Sequence, residues 1–128
     1  MANIPSDLKY TAEHEWVSAL DETTVRFGIT DYAQDALGDI VFVSLPQVGQ
    51  QVLAGSQCGE VESTKSVSDI YAPVSGEISA RNDGVETAPE VINSDPYGQG
   101  WIADIKVENS EIAISELLDA VAYQQITG

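Results

Sequence analysis

One lysine in this chain lies where its amine could be used for covalent chemistry. The sequence has three lysines, and Lys65 lies between two strand-like runs at 58–63 and 66–71. A tight hairpin projects its central side chains into solvent, so the ε-amine of Lys65 would be open to a modifying enzyme. Acylation of that amine would remove its charge and leave a long, flexible tether. Lys65 is therefore the candidate attachment site.

The turn around Lys65 has an unusual composition. Thr64-Lys65 is neither Asn-Gly nor Asp-Gly, the pairs that two-residue hairpins favour. Small polar neighbours would leave room for an enzyme, and acidic flanks would offer charges for docking. These flanking residues are Ser63, Thr64 and Ser66, with Glu60, Glu62 and Asp69. The alternative is an ordinary solvated lysine paired with Glu62, and the spacing alone leaves both interpretations open.

Two other reactive side chains occur once each, at Cys58 and His14. One cysteine cannot form an internal disulfide or a thiolate metal cluster, so we expect Cys58 to be a buried structural thiol. The sequence shows no nucleophile that would recognisably pair with His14 as its base, and it shows no phosphate-binding loop. We therefore expect a protein that is not an enzyme and that has no metal site.

The chain is strongly acidic, with 21 Asp and Glu against 5 Lys and Arg and a formal net charge of −16. Nucleic acids and anionic membranes are bound through basic patches, so neither is an expected partner. Partners with basic surfaces are favoured instead. No apolar run approaches the length of a membrane span, and residues 1–10 lack the features of a secretory signal or a transit peptide. We therefore expect a cytoplasmic location.

The residue pattern predicts many short strands. Strands are expected at 24–29, 40–45, 51–53, 58–63, 66–71, 77–81, 91–92 and 101–107. The run at 40–45 is β-branched and aromatic and is expected to be buried, and 82–88 is expected to be a loop. Frequent Gly and Pro turns between such strands indicate an antiparallel sandwich or a flattened barrel.

Short helices are expected on both sides of these strands. They are predicted at 31–37, 111–118 and 120–126. Thr30 would cap the first helix and Gly38 would end it. Ser110 and Asp119 would cap the two helices of the tail.

Five segments of the chain match the motifs of one known family, in the same order. They are YTAEHEW at 10–16, GITDYAQ at 28–34, GDIVFVSLP at 38–46, VESTKSVSDIYAPVSG at 61–76 and INSDPYGQGW at 92–101. The fourth segment contains Lys65 and is similar to the lipoylation segment of the H protein family of the glycine cleavage system. The resemblance runs from about Asp7 to Tyr123. Five motifs in order are far more specific than a single Glu-Ser-Thr-Lys match.

The resemblance implies a mainly β fold with short helices. It implies a hybrid barrel-sandwich of two small antiparallel sheets, as in lipoyl domains. Residues 1–128 would form a single lipoyl-carrier domain, with an extended segment at 1–16, a barrel-sandwich core at 17–108 and a helical tail at 109–128. We expect a monomer. Cys58 stands where the family usually has an aromatic residue, which we interpret as local repacking.

The resemblance also implies a cofactor and a set of partners. Lipoic acid would be attached to Lys65 through an amide bond by a lipoate-attaching enzyme. A pyridoxal-phosphate glycine decarboxylase, the P protein, would load an aminomethyl group onto the arm and release carbon dioxide. A tetrahydrofolate-dependent aminomethyltransferase, the T protein, would remove it and free ammonia. A flavin-dependent dihydrolipoamide dehydrogenase, the L protein, would reoxidise the dithiol.

A loaded arm would need a protective cleft, because it ends in an ammonium beside a labile carbon–sulfur bond. Carboxylates that bind the ammonium and walls that exclude water would protect it. In the family, the loaded arm folds back near the His-Glu-Trp segment. By position, Glu15 and Asp69 are the expected carboxylates, with Glu13 as a third candidate. His14 would order this segment by hydrogen bonding.

Other interpretations of the same lysine stay open. A biotin carrier would share the fold, although biotin hairpins favour methionines where Thr64 and Ser66 stand. A lipoyl domain of a 2-oxo acid dehydrogenase is another relative, usually joined by linkers to a catalytic domain, and this sequence contains neither. An unmodified protein that docks through its acidic face, and a relay that hands lipoate to other carrier domains, are further alternatives.

Overall fold

A computed structural model describes residues 3–127, in which short strands form two antiparallel sheets. The strands are β1 Lys9–Tyr10, β2 Glu15–Asp21, β3 Thr24–Ile29, β4 Ile40–Ser44, β5 Gln51–Val52, β6 Gln57–Ser63, β7 Val67–Tyr71, β8 Gly76–Arg81 and β9 Ala103–Lys106. The helices are α1 Asp31–Leu37, α2 Gly84–Thr87, α3 Val91–Ser94, α4 Ser110–Ile114 and α5 Ala120–Thr127. Among these described residues, no helix is long and apolar enough to cross a bilayer.

The two sheets differ in size. The larger has six strands in the order β1-β2-β3-β9-β8-β5, and the smaller has three in the order β4-β6-β7. Every strand pair is antiparallel. The expectation of a mainly β fold with two antiparallel sheets and short helices is confirmed.

The main core lies between the sheets and follows the period of two that strands impose. On β3, Val25, Phe27 and Ile29 are buried, whereas Thr24 and Arg26 are half-buried. Buried residues of the other strands pack against them, among them Val61, Ile70, Ile78, Ala103 and Ile105. Burial of this continuous apolar set is the main force that holds the two sheets together.

A second, aromatic cluster fastens both ends of the described chain to the large sheet. Tyr10, Trp16 and Tyr123 are fully or nearly fully buried, and the rings of Tyr10 and Tyr123 stack with centroids 4.7 Å apart. The backbone of Tyr10 also exchanges two hydrogen bonds with Leu118, of 2.8 and 2.9 Å. This cluster fixes the corner at residues 11–15, where β2 begins.

Helix α1 begins and ends at the predicted residues. Thr30 Oγ1 accepts a hydrogen bond from the Ala33 N–H at 3.2 Å, which satisfies one of the free donors of the first turn. Gly38 has φ +86°, a conformation that glycine adopts without strain, and its N–H donates to Gln34 O at 3.0 Å. The predicted cap and the predicted stop are therefore both confirmed.

Two predictions between β8 and β9 are wrong. The region at 82–88 contains helix α2 rather than only loop, because Val85 is drawn fully into the core. Residues 91–92 belong to helix α3 and not to a strand. The Pro89 carbonyl closes the turn before this helix by accepting from the Ile92 N–H at 3.1 Å.

The tail is helical, but its first helix is shorter than predicted. Asn109, not Ser110, is the cap, and its side chain accepts from the Ile112 N–H at 3.0 Å. The helix ends at Ile114 and does not extend to 118, because the Leu118 backbone is paired with Tyr10. Asp119 caps α5 as expected, accepting from the Ala122 N–H at 2.8 Å.

Two further differences concern strands. We predicted no strand at 17–21, yet β2 covers it and pairs with both β1 and β3. The strand at 40–45 forms but is not wholly buried, since Val41 is 50% exposed and Phe42 57%. The pairing of β4 with β6 shifts between Ile40 and Phe42, and this bulge leaves two consecutive side chains outside the core.

Candidate functional site

Lys65 lies at the tip of the β6–β7 hairpin and is exposed to solvent. The strands pair as far as Glu62 and Val67, so residues 63–66 form the connection. None of these four residues has a positive φ, and the turn is therefore not of the primed type that Asn-Gly would form. Instead, the buried Ser63 hydroxyl oxygen accepts from the N–H groups of Lys65 and Ser66, both at 3.1 Å. A serine thus closes the turn.

The hairpin tip is tied to the segment that follows α1. The Thr64 N–H donates to Asp39 O at 3.1 Å. Asn93 in turn holds this segment, because its Oδ1 accepts from the Ile40 N–H at 2.8 Å and its Nδ2 donates to Gly38 O at 3.0 Å. The same Nδ2 donates to Gln34 Oε1 at 2.8 Å. Asn93 lies inside a matched motif, but no local pattern of residues points to this role.

Gly38 also leaves room for the side chain of Lys65. A Cβ on Gly38 would lie 3.0 Å from Lys65 Cε and 3.7 Å from its Nζ. The absence of a side chain therefore lets the lysine stem pass directly over the backbone at the end of α1. The positive φ of Gly38 and this close approach both require glycine.

A cleft of about 330 Å³ opens beside the hairpin. It is lined by Glu13, His14, Glu15, Ile29, Tyr32, Ala33, Ala36, Leu37, Val61, Ser68 and Asp69. The structure thus brings together all four side chains that we proposed for an arm cleft, although they come from distant parts of the sequence. The cleft adjoins the lysine, since Leu37 precedes Gly38 and Ser68 lies three residues after Lys65.

Glu15 is the most buried acid of the cleft, with 2% of its surface exposed. Its Oε1 accepts from the Thr11 hydroxyl at 3.0 Å, and its Oε2 accepts from the Tyr71 N–H at 2.9 Å. Burial raises the pKa of Glu15 to about 7, against the opposing effect of these two hydrogen bonds. The carboxyl is therefore partly protonated near neutral pH and would ionise readily beside a cation.

The His14 side chain is held in place by a hydrogen bond and by aromatic packing. Its Nδ1 lies 2.9 Å from the Tyr123 hydroxyl, which lies 2.7 Å from Thr30 Oγ1. His14 has φ +69°, and its ring packs against Tyr32 with centroids 4.9 Å apart. Burial lowers the pKa of His14, so the neutral imidazole is favoured. These contacts orient the corner that carries Glu13 and Glu15.

Glu13 and Asp69 lie at the open rim of the cleft and are exposed. The Asp69 carboxylate accepts from Gln57 Nε2 at 3.1 Å and lies 3.4 Å from the Tyr71 hydroxyl. The cleft therefore has one carboxyl in its interior and two at its entrance. A cation that entered it would meet carboxyl groups at both depths.

The apolar wall of the cleft was not among the predicted site residues. Helix α1 supplies Tyr32, Ala33, Ala36 and Leu37 to it. The positions 33, 36 and 37 are apolar at the i, i+3, i+4 spacing of one helix face, which was a usable signal. The small side chains of the two alanines leave space; Ala33 lies within the motif at 28–34 and Ala36 follows it.

Cys58 lies at the root of the hairpin and is buried, as expected. Burial raises the pKa of its thiol to about 12, so the reactive thiolate is scarce at neutral pH. Across residues 3–127, no three His, Cys, Asp or Glu side chains come together in a way that could hold a metal ion.

Comparison with known proteins gives a consistent result. A family model described as "Glycine cleavage H-protein" matches residues 8–128. A glycine cleavage system H protein of Mycobacterium bovis (strain BCG / Pasteur 1173P2) is 59% identical over 129 residues, which cover 97% of this chain and 96% of that protein. The corresponding protein of Mycobacterium avium (strain 104) is 60% identical over 127 residues, with the same coverage of 97% and 96%.

A solved structure agrees in fold as well as in sequence. The crystal structure of a glycine cleavage system H protein from Mycobacterium marinum superposes with a TM-score of 0.86 and is 48% identical. The match covers 95% of this chain and 97% of that one, so the lipoyl-domain-like arrangement of two antiparallel sheets is shared throughout. The matches in sequence and in structure, together with an exposed hairpin lysine beside an acidic cleft, show that this chain belongs to the glycine cleavage H-protein family.

Proposed function

We propose that this chain carries lipoic acid in amide linkage to Lys65 and moves an aminomethyl group between the enzymes of the glycine cleavage system. Membership of the H-protein family supports the lipoyl-carrier role in glycine cleavage. The observation that carries the proposal is the exposed Lys65, held at a fixed hairpin tip next to a cleft with Glu15 in its interior. The chain acts without catalysis of its own.

The residues around Lys65 fit a lipoyl group. The ε-amine is exposed, and Gly38 leaves free the space beside Cε that a Cβ would fill. The cleft of about 330 Å³ has an apolar wall from α1 for a hydrocarbon chain and sulfur atoms, and carboxyls for a terminal ammonium. When bound, the lipoyl group supplies a dithiolane whose sulfur accepts the aminomethyl carbon and whose dithiol is later reoxidised.

The partners follow from this role. The P protein would supply the aminomethyl group, the T protein would take it, and the L protein would restore the oxidised arm. A lipoate-attaching enzyme would modify Lys65 first. We propose that the chain works as a monomeric, single carrier domain in the cytoplasm, because one lysine and one adjoining cleft are sufficient for the cycle.

Within the cleft, we propose that Glu15 and Asp69 bind the ammonium of the loaded arm, with Glu13 adding charge at the rim. Glu15 can give up its proton when a cation enters, since the burial that raises its pKa would then be offset by a charge-assisted hydrogen bond. His14 positions this corner through its contact with Tyr123. The walls from α1 exclude water from the bound group.

The attachment site can be tested by intact-protein mass. Incubation with a lipoate ligase, ATP and lipoate should add one lipoyl group to the wild-type chain and none to Lys65→Arg. Lys106→Arg, an exposed lysine on β9, is the matched control and should gain the same mass as wild type. An unchanged wild-type mass, or a lipoyl group on Lys65→Arg, would exclude the proposed carrier site.

The cleft can be tested on the lipoylated chain. After loading with glycine and the P protein, Glu15→Gln and Asp69→Asn should lose ammonia several-fold faster than wild type when the T protein is absent. Glu108→Gln, an exposed acid outside the cleft, should behave as wild type. Equal rates of ammonia loss in all four proteins would contradict the roles proposed for Glu15 and Asp69.

A further inference from the structure

We infer that the outer face of the β4–β6–β7 sheet, next to Lys65, is the docking surface for the enzyme that acylates this lysine. It carries three exposed apolar side chains, Val41, Phe42 and Val67, here called the hairpin patch. The inference rests on the proposed function, since it requires that Lys65 is acylated, and it names the surface through which the acylating enzyme binds.

The hairpin patch lies on the two outer strands of the sheet, with Glu62 of the central strand between them. Phe42 pairs with Glu62, and Glu62 pairs with Val67, so the three side chains form one row on the same face. Phe42 is 57% exposed and Val67 58%. Glu62 and Val67 form the last strand pair before the turn, and Lys65 follows Glu62 by three residues. The patch therefore lies directly beside the hairpin tip that carries Lys65.

The bulge in β4 enlarges the patch. Regular alternation would place one of Val41 and Phe42 in the core and the other outside. The shift in pairing between Ile40 and Phe42 leaves both in solvent, whereas Ile40 and Val43 on either side are buried. Bulges commonly redirect side chains at functional sites. Two adjacent exposed apolar residues are thus produced by a specific backbone feature, at the one place that the acylating enzyme must reach.

Acidic side chains lie within and around the hairpin patch. Asp39, Glu60, Glu62 and Asp69 are all exposed. In residues 3–127, the ion pairs are formed by Arg26 with Asp104 and by Arg81 with Asp83 and Glu86, so these four acids have no cation within the chain. Exposed apolar side chains with acids between and around them complement a partner surface whose apolar contacts are flanked by lysines or arginines.

The acylating enzyme is the partner that geometry favours. It must bring its acyl donor to Nζ of the unmodified lysine, which is only one side chain away from the backbone. Because the Thr64 N–H bond to Asp39 and the Ser63 bonds hold the tip, the enzyme must cover the rigid hairpin itself. Enzymes that act at the far end of the finished arm can dock elsewhere. The acylating enzyme is therefore the partner expected to contact the hairpin patch, because it has to contact the hairpin tip.

Steady-state lipoylation of the unmodified protein tests this inference. With lipoate ligase, ATP and lipoate, Phe42→Ser and Val67→Ser should each raise the KM for the protein substrate about tenfold and leave kcat near the wild-type value. Leu53→Ser and Ile112→Ser are matched controls, because these residues are 69% and 72% exposed but lie outside the patch. Both should keep the wild-type KM. Val67→Thr retains the β-branched shape and serves as a second variant should Val67→Ser unfold.

Each outcome bears on the inference. A wild-type KM in Phe42→Ser and Val67→Ser, or a fall in kcat with KM unchanged, would overturn it. Normal lipoylation of these variants, combined with slower reaction of the lipoylated variants with the P, T or L protein, would assign the patch to another partner and overturn it too. A wild-type chain that is never acylated would instead defeat the proposed function, so the two failures are distinguishable.

Discussion

At the scale of single residues, Glu15 stands out because its ionisable carboxyl group is buried. Full burial of a carboxyl disfavours its ionised form, while the Thr11 hydroxyl and the Tyr71 N–H stabilise that form. Burial has the larger effect, so the pKa lies at about 7. A carboxyl balanced in this way can stay neutral in an empty cleft and become charged when an ammonium enters, which suits the role we propose for it.

Glu15 should make stability depend on pH in a characteristic direction. Because the pKa in the folded state is raised from 4.5 to about 7, the folded protein binds a proton that the unfolded chain has lost between these values. The contribution of Glu15 is therefore fully present below about pH 4.5 and is lost as pH rises to about 7, by up to about 3 kcal/mol. In Glu15→Gln this loss should disappear.

Urea unfolding of wild type and Glu15→Gln between about pH 4.5 and 8 measures this difference directly. Glu62→Gln removes one acid from an exposed position and is the matched control, which should keep the wild-type pH profile. Parallel profiles for wild type and Glu15→Gln would show that Glu15 does not titrate in this range.

At the scale of elements, hydrogen bonds hold the β6–β7 hairpin and helix α1 together in a fixed arrangement. Asn93, on α3, bonds to the end of α1 and to the first residue of β4, and the segment between them accepts the Thr64 N–H of the hairpin. The position of Lys65 thus depends on a side chain that is 28 residues away in sequence. The same segment carries Gly38, over which the lysine stem passes.

Removal of the Asn93 side chain should loosen the hairpin tip. Asn93→Ala leaves the Ile40 N–H and the Gly38 carbonyl without their partner, and we expect a loss of about 2 kcal/mol in the free energy of unfolding. Amide hydrogen exchange of Thr64 and Ile40 should become faster than in wild type.

Asn109→Ala provides the comparison for this variant. It also removes an asparagine that bonds to a backbone N–H, but it does so at the cap of α4. It should cost about 1 kcal/mol and leave the exchange of Thr64 unchanged. If hairpin exchange were the same in Asn93→Ala and Asn109→Ala, Asn93 would have only a general structural role.

At the scale of the whole molecule, the formal net charge of −16 is the dominant property. Like charges of this number favour solubility and create a long-range field that attracts positively charged surfaces. The described ion pairs engage few of the acids, so most of the negative charge is free to act on partners. The acids around the hairpin direct part of this field towards Lys65.

Association with the enzyme that acylates Lys65 should therefore depend strongly on salt. For the unmodified protein and a lipoate ligase, we expect the association rate to fall roughly tenfold between about 0.01 and 0.15 M salt, measured by stopped flow.

The location of the charges should matter as well as their number. Replacing Glu60 and Glu62 with Gln should reduce the association rate more than replacing Glu108 and Glu111, although both pairs change the net charge equally. All four acids are exposed. Equal effects of the two pairs would mean that net charge alone, and not the acidic rim of the hairpin, steers association.

The sequence predicted those elements whose local signals agree with their surroundings. The helix from Asp31 to Leu37 has its own cap and stop, and β3 has strict alternation, so both form with the predicted bounds. The strand predicted at 91–92 is wrong and the helix predicted at 111–118 ends at Ile114, because contacts with distant residues decide the conformation there. The pairing of Leu118 with Tyr10, in particular, has no local signal.

The amino-acid sequence by itself determined the mainly β fold, the family and the exposed lysine, Lys65. Alternation, turn residues and motifs are patterns within short stretches of chain, so they can be read without the tertiary structure. Only the tertiary structure decided that Glu13, His14, Glu15 and Asp69 line one cleft with α1, that burial raises the pKa of Glu15, and that a bulge exposes Val41 and Phe42 beside Lys65. These properties depend on desolvation and on packing between residues far apart in sequence. Such effects exist only once the two sheets have come together.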